Sequence, residues 1–291
     1  MRHPDRVTTT PQILRYAAFT TDPSGGNPAG VVLDAGALTD EDMQAIAAEV
    51  DYAETAFVTG RSDDGLDIRY FSPIAEVPFC GHATVATAVA LVEGGISDPG
   101  ELVFRTAVGP VVIRTAQGQD GVTASFTSVE PAVEELAADV LARLLAELGV
   151  DEADLDPRMP PALSFAGNRH PIVVLADREV FDAFRFDPDR MRALMDEQEW
   201  RGTVTVLHAD GPGVITARNL FPVGRITEDP ATGSAAASVG AYLRARGLVA
   251  PPASVTILQG AHVGRPGRLE VRIPASGGIT VTGRSTVISA D

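Results

Sequence analysis

Apolar positions along this chain recur with two spacings, and the two take turns. Short alternating runs read as strands over residues 13–19, 31–33, 52–58 and 68–71, with a turn-rich loop, DPSGGNPAG, between the first two. Thr39 reads as the cap of a helix over 40–50. Asp40, Glu41 and Asp42 sit in its first turn, where the dipole favours them, and Met43, Ile46, Ala47 and Val50 share its inner face. A second helix spans 84–93 and stops at Gly94 and Gly95, after which 102–104, 108–115 and 122–126 read as strands of one antiparallel sheet. Past Pro131 the style changes: 133–149 reads as one long Ala- and Leu-rich helix, 151–161 as an acidic connector, and 187–197 as a further helix. Strands follow over 172–175, 204–208 and 214–220. The motif EDPATGSAA, Glu228 to Ala236, then opens a helix that runs to Arg246 with Thr232 or Ser234 as its cap, and strands over 255–259, 269–273 and 279–282 finish the chain.

The pattern repeats itself once. GGNPAGVVL from Gly25 is answered by AGNRHPIVVL from Ala166, and the triplet Cys80-Gly81-His82 by Thr232-Gly233-Ser234, each opening a small-residue helix that ends at glycine. A diverged duplication of this kind implies an α+β fold of two similar halves facing each other. They divide at residues 1–128 and 129–291, with the last strand free to return to the first half.

Composition narrows the function. The net charge of −16 argues against nucleic acid as a partner, since phosphate binding needs clustered cations. There is no apolar run of membrane-spanning length, no apolar signal-peptide centre in MRHPDRVTTTPQ, which reads as a frayed lead-in, and a single cysteine. These features fit a cytoplasmic protein. There is no lysine, so a pyridoxal-phosphate Schiff base and a P-loop are both excluded.

If the halves face, the helices after Gly81 and Gly233 aim their free N–H groups into one cleft. There they would hold a substrate carboxylate and stabilise the enediolate formed when the neighbouring carbon loses a proton. Glycine at both positions permits close approach. Glu54, an acid among the apolar neighbours of AETAF, is the candidate base; it is either a strand residue facing water or a buried carboxyl with a raised pKa. His82 at a helix start is kept neutral by the dipole and is either a proton relay or a cap. Asp229 and Ser234 bracket the second helix start, with capping or packing as the plain alternative for Ser234. Cys80 stands where a dipole lowers a thiol pKa, with an inert small hydrophobe as the plain alternative. No GxSxG elbow occurs, and the five histidines show no metal-ligand spacing.

Five stretches now carry a specific resemblance: GNPAGVV, ETAFV, RYFSPIAEVPFCGHATVATA, EDPATGSAAASVGAYL and QGAHVGRPG. Together they resemble the signatures of the PhzF-like phenazine-biosynthesis family, within the diaminopimelate epimerase fold superfamily. The resemblance implies two pseudo-symmetric halves, each a curved, mostly antiparallel sheet or barrel around a central helix, with the active site between them. It also implies a homodimer and cofactor-free proton transfer that isomerises a small carboxylated substrate. The family's glutamate, histidine, aspartate and serine fall on Glu54, His82, Asp229 and Ser234. Asn27, Cys80, Gly81, Thr232 and Gly233 are expected to bind the substrate, and no metal or cofactor is implied. Racemases of the superfamily place a cysteine at each helix start; here the second position is Thr232, which makes a two-thiol racemase a poor fit. A one-thiol epimerase or dehydratase using Cys80 and a non-catalytic ligand-binding scaffold remain as alternatives. Tyr52 and Ala53 beside Glu54 suggest a different substrate end of the pocket.

Overall fold

A computed structural model describes residues 11–224 and 226–289. The expected lead-in falls, over residues 1–10, outside them. Strand β1 (Leu14–Ala18) turns into antiparallel β2 (Asn27–Val32). Helix α1 (Asp40–Val50) then crosses to β3 (Glu54–Ser62), which lies parallel to β2. Strand β4 (Gly65–Phe71) folds back on β3, and the short β5 (Glu76–Val77) pairs with its end. Helix α2 (Gly81–Glu93) leads to β6 (Glu101–Thr106), parallel to β4, and β7 (Gly109–Gly118) and β8 (Gly121–Thr127) follow as antiparallel neighbours.

The remainder comprises β9 (Ala132–Glu134), α3 (Ala138–Leu148), β10 (Ala162–Phe165), β11 (Arg169–Val174), α4 (Arg178–Ala183) and α5 (Pro188–Glu197). After these come β12 (Val204–Gly211), β13 (Val214–Leu220), β14 (Glu228–Asp229), α6 (Gly233–Ala245), β15 (Ala253–Gln259), β16 (Gly267–Ile273) and β17 (Thr280–Val287). From β10 onward the pairings are antiparallel (β10–β11), parallel (β11–β12), antiparallel (β12–β13), parallel (β13–β15), then antiparallel twice (β15–β16, β16–β17). That is the order followed from β1 to β8. Strand β17 also pairs with β8 and with β1, so that β1, β2, β3, β4, β6, β7, β8 and β17 close into an eight-stranded, barrel-like ring.

Helix α2 fills that ring. Every residue from His82 to Leu91 is buried, and the helix packs on β1, β2, β3, β7, β8 and β17. A helix apolar on all sides can be satisfied only by being surrounded. Its alanines let the strands come close, while Val85, Val89 and Leu91 supply bulk. Helix α6 is buried in the same way from Ala235 to Leu243, against β9, β10, β11, β16 and β17. Gly240 marks its closest approach to the sheet: an added Cβ would stand 2.7 Å from Ile279 and 2.9 Å from Val271.

Three expectations need correction. The helix expected over 133–149 begins only at Ala138, because Val133 and its neighbours pair with β10 as a strand. A ladder to an open strand edge outweighs the helical propensity of the segment, and Pro131 starts it in an extended conformation. Strand β2 starts at Asn27, earlier than expected, and α2 starts at Gly81 with extended Cys80 before it. Strand β10 and helix α4 were not anticipated, although Asp177 caps α4 by accepting from the N–H groups of Glu179 and Val180. Thr39, by contrast, caps α1 as read, in a reciprocal box with Asp42.

Candidate active site

Helices α2 and α6 meet near their amino ends, on either side of the Phe126 ring from β8. A Cβ built on Gly81 would be 3.8 Å from the ring and one on Gly233 only 2.8 Å from it, so Gly233 is bare because the ring occupies its side-chain space. Neither helix start is closed by a side-chain cap. The expected capping by Thr232 or Ser234 does not occur, because both hydroxyls bond elsewhere. The first-turn N–H groups therefore keep the anion-binding character of a helix amino terminus.

On the α2 side, β3 brings Glu54 to the helix start. The Cys80 thiol donates to Glu54 Oε2 at 3.4 Å, and His82 Nε2 stands 3.4 Å from the same oxygen. Cys80 Sγ also lies 3.3 Å from His82 Nδ1. The Glu54 side chain keeps 19% of its surface accessible while His82 keeps 7%, so Glu54 is the more accessible of the two. Burial, with a contribution from the Asp229 charge, pushes Glu54 up to about 7. Burial holds His82 down at about 4 despite a bond to the Pro28 backbone. Desolvation, more than the dipole, thus keeps this imidazole neutral.

Of the two readings of Cys80, the enclosed, inert thiol prevails. Its pKa is raised well above the ordinary thiol value, first by burial and then by the neighbouring Glu54 carboxylate. Enclosure and a like charge outweigh the helix dipole, and the group is a thiol at neutral pH.

On the α6 side, Asp229 sits at the end of β14 and is gripped from both oxygens. Asn27 Nδ2 donates to Oδ1 at 2.7 Å, and Thr232 Oγ1 donates to Oδ2 at 2.6 Å. Asn27 also reaches the Ala231 carbonyl at 3.0 Å. Gln259 completes the frame: its Nε2 donates to the Asp229 carbonyl at 2.6 Å and to Thr232 Oγ1 at 2.9 Å, while its Oε1 accepts from Thr232 N at 3.2 Å. Burial lifts Asp229 to about 6 even though both hydrogen bonds favour the carboxylate. The adjacent Glu228 plays no part here, since Arg218 holds it in a buried ion pair. Ser234 joins neither group; its Oγ lies 3.1 Å from Nε2 of the buried His170.

The donor atoms of Glu54, Cys80 and His82 all lie within 4.8 Å of one another. The thiol sits nearer Nδ1 (3.3 Å) than Nε2 (3.8 Å), while Glu54 sits beside Nε2. Through Nε2 the three donor atoms stand 3.4, 3.4 and 3.8 Å apart, a spacing that suits a shared proton and a small metal ion alike. A groove of about 510 Å³ bordered by Phe19, Thr123, Arg268 and Arg284 includes none of these groups, and its one carboxylate, Glu270, is bonded to Arg268.

Residues 16–290 match the phenazine biosynthesis-like protein family, PhzC-PhzF. The chain belongs to this family. A relative named uncharacterized isomerase from Deinococcus radiodurans is 37% identical over 284 residues, 94% of this chain and 91% of that one. The trans-2,3-dihydro-3-hydroxyanthranilate isomerase of Pseudomonas aeruginosa is 33% identical over 264 residues, 89% of each chain. Among solved structures, the Bacillus anthracis phenazine biosynthesis protein of the PhzF family superposes with a TM-score of 0.84 at 27% identity, covering 95% of this chain and 96% of that one. Family membership, with relatives that are isomerases by name, makes this chain an enzyme of the isomerase type. Among the described residues no helix is long and apolar enough to cross a membrane.

Sequence reasoning missed His170, Gln259 and Phe126. Gln259 opens the family stretch QGAHVGRPG, and His170 lies in the AGNRHP turn already noted as half of a repeat, so both had a signal. Phe126 had none beyond its place in a strand.

Proposed function

We propose that the protein moves a proton, and with it a double bond, within a small carboxylate-bearing substrate, by glutamate acid–base catalysis and without a cofactor. The observation that carries this reading is Glu54: a carboxyl raised to about 7 beside two uncapped helix starts. A base poised near neutrality can take a proton from carbon and hand it on. The N–H groups at Gly81 and Gly233 would bind the carboxylate and the negative charge that develops beside it. Neutral His82 and the protonated Cys80 would line the proton's path, and Asp229, on the far side, would hold Glu54 high by repulsion. The protonated thiol argues against Cys80 as a standing base and so against the one-thiol alternative.

The two strand series, divided at residue 128, are read as duplicated, pseudo-symmetric halves. Two features support this: the repeated pairing order, and a repeated strap in which Arg69 grips both oxygens of Glu76 and Arg218 both oxygens of Glu228, each just before a helix start.

The test is Glu54→Gln with trans-2,3-dihydro-3-hydroxyanthranilate, the compound in the relative's name, and a set of unsaturated amino acids in deuterated water. Loss of label incorporation by roughly 10²-fold or more is expected. Unaltered incorporation in the variant sinks the reading, as does binding of these compounds by the unaltered enzyme with no exchange of a carbon-bound proton.

A further inference from the structure

One buried polar set at the start of α6 has no part in the chemistry above. His170 is fully buried on β11, and its two ring nitrogens face different partners. Nδ1 lies 3.1 Å from the main-chain N of Thr203, 3.1 Å from its carbonyl oxygen and 3.0 Å from its hydroxyl oxygen, while Nε2 lies 3.1 Å from Ser234 Oγ. The Thr203 hydroxyl donates to Asn219 Oδ1 at 2.7 Å, as does the Thr205 hydroxyl, so neither is free to donate to the ring. Gly202 makes the room. A Cβ there would stand 2.6 Å from the imidazole Cε1 and 2.9 Å from Nδ1.

These contacts select a tautomer. With hydrogen on Nδ1, the buried Thr203 N–H would face another N–H and lose its acceptor. With hydrogen on Nε2, that N–H is satisfied and only lone pairs on the Thr203 carbonyl and hydroxyl oxygens go unfilled. An orphaned buried donor is the costlier of the two.

We infer that His170 is a positioning residue: its Nε2–H donates to Ser234 Oγ and so commits the Ser234 hydroxyl hydrogen to the cleft. Ser234 then adds a fixed side-chain donor to the main-chain N–H groups of α6. This corner of the site reads an oxygen acceptor, not an ammonium group. The hydroxyl hydrogen points away from the ring, so His170 does not act on Ser234 as a base. Assigning that oxygen to the substrate rests on the isomerase reading; the hydrogen-bond direction does not.

Two measurements on the full chain test it. Nitrogen-15 imidazole spectra, assigned with His170→Gln, should show His170 protonated on Nε2 alone, and an Nδ1-protonated ring overturns the inference whatever else is found. Anthranilate, an aromatic acid with no proton to shift, serves as the binding probe. Ser234→Ala and His170→Leu should each weaken it on the order of tenfold, about one charge-assisted hydrogen bond, with no further loss in the double variant. His170→Gln, which keeps a donor at the same reach, should bind within about threefold of the unaltered protein. Losses that multiply in the double variant, a His170→Leu protein that binds normally, or an unaltered protein that does not bind anthranilate would overturn the positioning role. None of these outcomes depends on turnover, so they stand apart from the Glu54→Gln result.

Discussion

Asn27 donates its side-chain amide to Asp229 across 202 residues of sequence, in a bond of 2.7 Å buried from solvent. With Thr232 on the other oxygen, it fixes the carboxylate whose charge helps hold Glu54 near 7. Asn27→Leu removes that donor and leaves Asp229 and the Ala231 carbonyl short of a partner. We expect a loss of about 1–3 kcal/mol in chemical denaturation and a further rise of the Asp229 pKa, followed by carboxyl infrared titration. An unchanged midpoint with an unchanged titration would show that the link does not matter.

Glu54 predicts an unusual pH dependence of stability. Its native pKa of about 7 stands above the ordinary 4.5, so between those values the native state holds a proton that the unfolded chain releases. The stabilisation is therefore full below about 4.5 and is lost as pH rises through 7, by up to about 3 kcal/mol. Glu54→Gln, which cannot ionise, should melt at a higher temperature than the parent at pH 8 and close to it at pH 4.5. A lower melting temperature at pH 8 would mean that the carboxylate is better solvated than its burial implies.

The same pKa sets the rate profile. If ionised Glu54 is the base, kcat/KM should climb about tenfold per pH unit below 7 and level off above it. His82, neutral down to about 4, should add no limb of its own in that range.

Cys80 is the place where activity should survive a change. Because its thiol stays protonated, Cys80→Ser should keep turnover within about tenfold of the parent. Abolished exchange in a folded Cys80→Ser protein would return the one-thiol chemistry to first place.

The two helix glycines should differ in tolerance. Gly81→Ala places a methyl at ordinary contact distance from Phe126, whereas Gly233→Ala drives one into the ring at 2.8 Å. The second should cost about 1–3 kcal/mol in thermal melts and be partly recovered by Phe126→Leu; the first should be near neutral. Equal effects would mean that the ring is free to move aside.

Much of this was legible in the sequence, for definable reasons. Helix α1 was readable because Thr39 and a first turn of acids state its start locally. Glu54, Cys80, His82, Asp229 and Thr232 could be singled out because they stand in distinctive motifs, and the structure joins them in two adjacent hydrogen-bonded groups. Strand β9 was not readable, since its three residues are strand only through their pairing with β10, a non-local fact. Cys80 stayed open between two readings because a dipole is visible in a motif whereas the enclosure that decides between them is not. Phe126 contributes by standing between two helices from distant stretches, which no local pattern records.

Strand β17, the last among the described residues, is the one that joins β8 to β1. During synthesis the first ring therefore emerges with two open strand edges and an unsealed central helix, and it stays so until residues 280–287 have left the ribosome. A nascent chain stalled before Thr280 presents a sheet that any other strand can extend. Closure of the first ring is in this way tied to a strand made long after the other seven.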